Sequence, residues 1–148
     1  MEMSAMVILQ ILISLIMPAI MIVSGRIIRS KIDSYMAPGL AYKTRSAELT
    51  PESWQYANRF FGTMMVAIGI NMAVISTVFI LAAVLGAGVN GWALALFFMC
   101  FEIVGIALPV FMTELMLGRL FDAEGKPLAS GFDEEFEEEA EDRDASED

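Results

Sequence analysis

The chain has 148 residues, of which 57% are hydrophobic, and a formal net charge of −10. A soluble domain intersperses its charges, whereas here 23 uncharged residues separate Glu2 from Arg26, and 42 separate Arg59 from Glu102. A helix of about 20 apolar residues crosses a bilayer. This pattern excludes an ordinary soluble domain and predicts an all-α integral membrane protein.

The chemistry available to the chain is narrow. It has no histidine, the commonest general base and metal ligand, and its single cysteine, Cys100, lies in an apolar stretch. No glycine-rich phosphate loop is present. We therefore expect no enzyme activity, no catalytic residue, no metal site, no cofactor and no direct nucleic-acid partner.

Three membrane spans follow along the chain. The first is predicted at about residues 5–24, the second at 60–85 and the third at 92–117. A polar loop over residues 25–59 joins the first two, and a glycine-rich turn over residues 86–91 joins the last two. Residues 1–127 thus form a transmembrane domain of three helices.

The distribution of basic residues predicts the orientation. Six bases lie in and beside the first loop, none lies in the turn at 86–91, and Arg119 and Lys126 follow the third span. Positive loops stay in the cytoplasm. The sequence therefore predicts a multi-pass protein of the bacterial cytoplasmic membrane, with its N-terminus outside and both the loop and the C-terminus inside.

The helix of the second span is expected to begin before the membrane. Thr50 is suited to the N-cap and Pro51 to the first helical position. The next residues that share one face are Trp54, Ala57, Asn58 and Phe61. This spacing predicts an amphipathic segment in the cytoplasmic headgroup region that leads into the span.

The whole excess of negative charge lies at the C-terminal end. Residues 119–148 carry thirteen acids and three bases, whereas residues 1–118 carry six of each. Residues 128–148 contain too few apolar side chains to bury a core. They are expected to form a disordered cytoplasmic tail. Docking to a basic partner and calcium binding are the alternatives, the latter without EF-hand spacing.

Each predicted span carries a polar residue near its middle: Ser14, Asn71 and Glu102. A carboxylate near the bilayer centre costs at least about 2.5–3.5 kcal/mol. We therefore expect the three side chains to meet in one intramembrane cluster. Such a cluster is consistent with hydrogen bonding that holds the helices together, and equally with a proton or ligand site.

Two further features concern helix ends and helix packing. Glu114 lies near the cytoplasmic end of the third span, where Arg59, Arg45 and Lys43 are candidate ion-pair partners. Gly69 and Ala73, four residues apart on the second span, are small enough to allow a close approach of two helices.

The loop and the start of the second span carry a spaced set of residues. They are Pro38-Gly39, the element Ala41-Tyr42-Lys43-Thr44, Trp54 ten residues after Thr44, and Ala57-Asn58 three residues beyond. This pattern resembles the SdpI family of small bacterial membrane proteins. Gly62 and, after the third span, Thr113-Glu114, Phe121-Asp122 and Gly125 extend it. Ala41 and Lys43 depart from the family's Gly and Arg.

The resemblance implies a role in immunity or signalling. Members of the family protect a producer cell against a membrane-active peptide toxin and capture a cytosolic regulator at the membrane. The residues that would serve this role here are Tyr42, Lys43, Thr44, Arg45, Trp54, Asn58, Arg59 and Glu114.

Two other functions fit the same sequence. One is an oligomeric, proton-coupled transporter or channel-like subunit that uses Glu102, since three spans are too few to form a pathway in a single copy. The other is a membrane adaptor that recruits a basic partner through the acidic tail. The lipid bilayer is a partner in every case, and a homo-oligomer is compatible with all three.

Overall fold

The computed structural model describes residues 5–36, 38–84 and 91–128, with side chains described at 14–36, 38–82, 93 and 96–128. This part of the chain is all-helical and contains three helices: α1 (Ala5–Arg29), α2 (Pro51–Val84) and α3 (Gly91–Leu120). It contains no β-strand, and an isolated bridge joins Phe121 to Pro127 beyond α3. The prediction of an all-α fold with three long helices is confirmed.

Two of the helices are long and apolar enough to cross a membrane, over Pro51–Ala82 and Leu96–Leu120. The rest of the chain buries only 17% of the apolar stretch of α2 and 22% of that of α3. A core helix of a soluble protein would be mostly buried, so the low burial of these two stretches is compatible with membrane-spanning helices. A span at α1, whose side chains are described only from Ser14, stays a prediction.

The start of α2 follows the capping pattern expected from the sequence. The backbone N–H of Ser53 donates to the Thr50 hydroxyl oxygen at 3.1 Å. In return, the backbone N–H of Thr50 donates to the Ser53 hydroxyl oxygen, also at 3.1 Å. This reciprocal arrangement is a capping box with serine in the third position. Thr50 is therefore the N-cap, and Pro51 begins the helix as predicted.

Helix α2 is longer than a bilayer core is thick. Its 34 residues span about 50 Å at about 1.5 Å per residue, whereas a bilayer core is about 30 Å thick. The helix would therefore extend beyond a bilayer core by about 20 Å. The acid and the base of α2, Glu52 and Arg59, both lie in its first nine residues, so the sequence favours this end for the surplus.

Helices α1 and α2 pack closely because glycines face each other at their contact. A Cβ atom added at Gly25 would lie 2.7 Å from the carbonyl oxygen of Gly62, and one at Gly62 would lie 2.8 Å from that of Gly25. About two turns farther along α2, Gly69 lies against Ile22, Met21 and the backbone of Pro18. The close approach predicted at Gly69 is confirmed.

Helix α3 packs on α2 through larger side chains. Gly105 of α3 receives the thioether of Met72 from α2, and buried Phe98 meets Phe79 edge-to-face at 5.8 Å between ring centroids. Gly105 allows this insertion because a Cβ atom there would lie 2.4 Å from the Met72 sulfur. A flexible thioether is suited to filling such a gap.

The main buried cluster lies at one end of the bundle, here called the loop end. It combines the C-terminal part of α1, the loop between α1 and α2, the first turns of α2 and the end of α3. Its members are Ile28, Tyr42, Ala47, Tyr56, Ala57, Phe61, Leu117, Leu120 and Phe121. The loop is thus a folded part of the structure, with its own apolar core.

Two predictions from the sequence lie outside the described residues. These are most of the turn at 86–91, of which only Gly91 is described, and the acidic tail, described only as far as Leu128. Both stay predictions.

The glycine contact yields a test of the packing of α1 on α2. Gly62→Ala places a methyl group against the Gly25 backbone, so we expect it to destabilise the protein by about 1–3 kcal/mol. Gly118→Ala is the matched control, because nothing lies within 4 Å of a Cβ atom there. Alanine at that helical position should stabilise by up to about 1 kcal/mol. The measurement is the unfolding midpoint of each variant in detergent, and a Gly62→Ala protein as stable as the parent would contradict the packing.

Candidate functional site

The side chain of Asn58 holds the loop through the backbone of Tyr42. The backbone N–H of Tyr42 donates to Asn58 Oδ1 at 2.7 Å, and Asn58 Nδ2 donates to the Tyr42 carbonyl at 3.4 Å. The same Nδ2 group donates to the Trp54 carbonyl one turn earlier in α2, at 3.0 Å. Asn58 is completely buried. The carboxamide therefore pairs with both polar backbone groups of one residue, as the opposite residue of an antiparallel β-strand would.

Tyr42 then reaches from the loop to α3. Its hydroxyl donates to Glu114 Oε1 at 2.7 Å, and the carbonyl of Val110 lies 3.4 Å from the same oxygen. The ring stacks at a tilt on Phe61, with 4.5 Å between centroids. One buried tyrosine thus connects the loop, α2 and α3.

The environment of Tyr42 opposes loss of its proton. Burial raises the pKa of the phenol, and the hydrogen bond to the Glu114 carboxylate and the negative charge of that group raise it further. The hydroxyl therefore remains a donor to Glu114 throughout the physiological pH range. The structure gives Glu114 this neutral partner, whereas Lys43 and Arg45, two of the bases expected to pair with it, have exposed side chains.

Trp54 lies beneath the loop with no exposed surface. Tyr35 packs against it edge-to-face at 6.0 Å and donates its hydroxyl to the carbonyl of Glu48 at 2.7 Å. Within the described residues, the Trp54 indole N–H has no hydrogen-bond partner. Trp54 was expected to anchor the chain in lipid headgroups, and the structure shows it covered by the protein instead.

Thr44 shapes the loop, and its two basic neighbours point outward. The carbonyl of Thr44 accepts from the backbone N–H of Glu48 at 3.0 Å, and its hydroxyl lies 3.4 Å from the backbone nitrogen of Ala47. This turn directs Ala47 into the buried cluster. Lys43 and Arg45 remain exposed on either side of Thr44, and Arg59 is half-buried on α2.

A tight turn after α3 closes the loop end. Asp122 accepts from the backbone N–H groups of Glu124 and Lys126 at 3.0 and 2.7 Å. The turn presents the carbonyl of Gly125 to the Thr50 hydroxyl, which donates to it at 2.7 Å. Gly125 has a φ of +77°, and a Cβ atom there would lie 2.5 Å from Leu49. Only glycine meets both constraints.

The three polar residues expected to form an intramembrane cluster occupy different environments. Ser14 is buried. Asn71 is exposed on α2, and its Nδ2 group donates to the carbonyl of Ala67 in its own helix at 2.8 Å. Glu102 is half-buried, and its Oε1 atom is buried without a hydrogen-bond partner among the described residues. The expected hydrogen bond between Asn71 and Glu102 is therefore not formed, because Asn71 points away from the bundle.

Sequence reasoning missed the contacts of two residues at the loop end. Tyr35 carried no motif, yet it covers Trp54. Gly125 was noted only as part of the family pattern, yet it supports the N-cap of α2. The available signal was the Asp122-to-Lys126 stretch, whose composition is typical of a tight turn. Among the described residues, no group of three or more Cys, Asp or Glu side chains could hold a metal ion.

Comparison of the chain with protein-family models, with curated proteins and with solved structures gives no match.

The pairing of Asn58 with Tyr42 can be tested by opening the loop. Asn58→Ala leaves the Tyr42 N–H and carbonyl buried without partners, at about 1–3 kcal/mol for each group. Trypsin should then cleave after Lys43 and Arg45 faster than in the parent. Gln55→Ala, an exposed position on the same turn of α2, is the control and should leave cleavage unchanged. Equal cleavage of both variants would rule out a locking role for Asn58.

The raised pKa of Tyr42 predicts a loss of stability in alkali. The folded protein holds the phenolic proton more tightly than the unfolded chain does. The stabilisation is therefore complete below about pH 10, the ordinary pKa of tyrosine, and falls as the pH rises above it. The measurement is the free energy of unfolding between about pH 8 and about pH 12. Tyr42→Phe should weaken the fall in unfolding free energy above about pH 10, whereas Tyr35→Phe should retain it. Parallel curves for the parent and both variants would show that Tyr42 is not the group responsible.

Proposed function

We propose that the chain is a non-enzymatic, SdpI-like membrane protein that confers resistance to a membrane-active peptide, signals its presence to a cytosolic regulator, or does both. The observation that carries the proposal is the convergence of the family-pattern residues. Tyr42, Asn58, Glu114 and Phe121 come from three separate regions of the sequence, and all four contribute to the loop end. Because these residues come together at the loop end, the fixed spacings of the family pattern have a structural reason.

The proposed orientation places the loop end in the cytoplasm. The basic residues Arg26, Arg29 and Arg59 lie at this end, as do exposed Lys43 and Arg45 of the loop. The opposite end of α2 carries no charge within the described residues. The positive-inside rule then supports a cytoplasmic loop end in a bacterial membrane.

The outer surface of the loop has the composition of a recognition surface. Besides Lys43 and Arg45, the loop exposes two apolar side chains, Leu40 at 50% and Leu49 at 41% exposure. Basic and apolar groups together suit either an anionic headgroup layer or an acidic, amphipathic segment of a regulator. Because the buried side of the loop is fixed by Asn58 and Tyr42, this surface has a defined shape.

A specific observation favours a second function, an oligomeric proton-coupled transporter subunit. Glu102 Oε1 is buried without a hydrogen-bond partner within the described part of the chain. A carboxyl group inside an apolar helix bundle is a functional candidate by default. Uptake and release of a transported proton at this carboxyl group would account for it.

The resistance hypothesis is tested by the survival of a sensitive bacterium that expresses the protein and is challenged with any secreted peptide encoded beside its gene. We expect survival together with a preserved membrane potential. If the exposed surface of the loop binds the peptide or the regulator, the double variant Lys43→Gln, Arg45→Gln should reduce protection. Lys126→Gln, which removes another exposed base at the loop end, is the control and should not. Sensitivity despite confirmed membrane insertion would refute the proposal.

Glu102→Gln separates the two functions. The amide is close in size to the carboxyl group but does not titrate, so it abolishes proton coupling and leaves packing intact. Unchanged protection in this variant supports the resistance function. Loss of a pH-dependent flux in vesicles, measured with a fluorescent pH indicator, would support the transporter.

A further inference from the structure

Helix α2 has three faces, and within the described residues two of them contact other helices. One packs on α1 through Gly62 and Gly69, and a second packs on α3 through Met72. The third face is exposed between Ala67 and Val78. It carries Ala67, Asn71, Val74 and Val78, at intervals of four, three and four residues.

These intervals are those of a helix–helix seam. The three intervals cover eleven residues, about 3.67 on average, which is the period of an 11-residue repeat and keeps the four side chains on one face toward a second helix that crosses at a small angle. Val74 and Val78 are 58% and 59% exposed, although both lie within the apolar stretch. Lipid alone would cover such side chains, so the spacing does not by itself require a protein partner.

The Asn71 side chain carries hydrogen-bonding groups that lipid cannot satisfy. Its carboxamide has two N–H donors and one carbonyl acceptor, and one donor is used by the Ala67 carbonyl in the same helix. The other exposed polar side chains of this stretch differ. The hydroxyls of Thr63 and Thr77 each donate their single proton to the carbonyl four residues earlier. Asn71 alone keeps an unused acceptor and an unused donor on this surface.

Hydrocarbon offers no hydrogen bonds, so the remaining groups of Asn71 need a protein partner at the same depth. A second copy of this chain supplies one directly. In a two-fold symmetric contact of parallel helices, identical residues lie opposite each other at the same level. The Oδ1 atom of each carboxamide can then accept from the Nδ2 group of the other, and Ala67 one turn away allows the backbones to approach.

We infer that the chain forms a homodimer through this face of α2, with the Asn71 side chains of the two copies hydrogen-bonded to each other. The exposed residues of α3 offer no equivalent contact. Between Leu96 and Phe111 its exposed positions are apolar apart from Cys100. The inference is independent of the proposed function, because it depends only on the polarity and spacing of α2.

Disulfide cross-linking in bilayers tests the geometry of the full-length chain. In a Cys100→Ser background, Val74→Cys should form an intermolecular disulfide under mild oxidation, since Val74 lies one turn from Asn71. Ile103→Cys, 61% exposed on α3, is the matched control and should not cross-link. Equal cross-linking at both positions, or at Ile103 alone, would overturn the inference.

The role of Asn71 is tested by the affinity of the dimer. Energy transfer between labelled chains, measured on dilution in lipid, should show a dissociation constant about 3- to 30-fold higher for Asn71→Leu. Asn71→Gln keeps both donor and acceptor and should recover part of the affinity. Resistance of the loop to trypsin shows that each variant is folded. A monomeric parent chain, or an unchanged constant for a folded Asn71→Leu, would refute the α2 dimer.

Discussion

The hydrogen bonds between Asn58 and the backbone of Tyr42 are the contact on which the loop end depends. A connecting loop normally runs over the surface, because buried backbone groups need partners. Here one side chain from α2 satisfies both polar groups of a buried loop residue. This fixes Tyr42, whose ring and hydroxyl then reach Phe61 and Glu114. Without that pairing, the loop would have to return to water.

The contact between α1 and α2 depends on close backbone packing instead. Where α1 meets α2, Gly25 and Gly62 bring the backbones together, and no large apolar side chain separates them. Between apolar helices in an apolar medium, close packing and hydrogen bonds replace the hydrophobic effect as the source of association. The small fraction of α2 and α3 that the chain buries agrees with this, because a soluble bundle would conceal most of its apolar surface.

Helix α2 carries two asparagines, Asn58 near its start and Asn71 in its apolar part, and their side chains face opposite ways. Asn58 faces inward and organises the loop, whereas Asn71 faces outward and has unused hydrogen-bonding groups. The residue type is the same, and the difference arises from its angular position around the helix. In one case the protein already supplies the partner. In the other the partner must come from outside the chain.

The sequence by itself determined the all-helical class, the approximate extent of the three helices, the N-cap at Thr50 and the shared helix face of Trp54, Ala57 and Asn58, but not that this face is covered by the loop. These features follow from local chemistry: the length of uncharged runs, the capping geometry and helical spacing next to charged residues. The tertiary structure alone decided that Tyr42 pairs with Asn58 and Glu114, and that Asn71 points outward. In a uniformly apolar helix no polarity difference marks the inner face, because lipid is as apolar as the core, and only the packing of the neighbouring helices sets it.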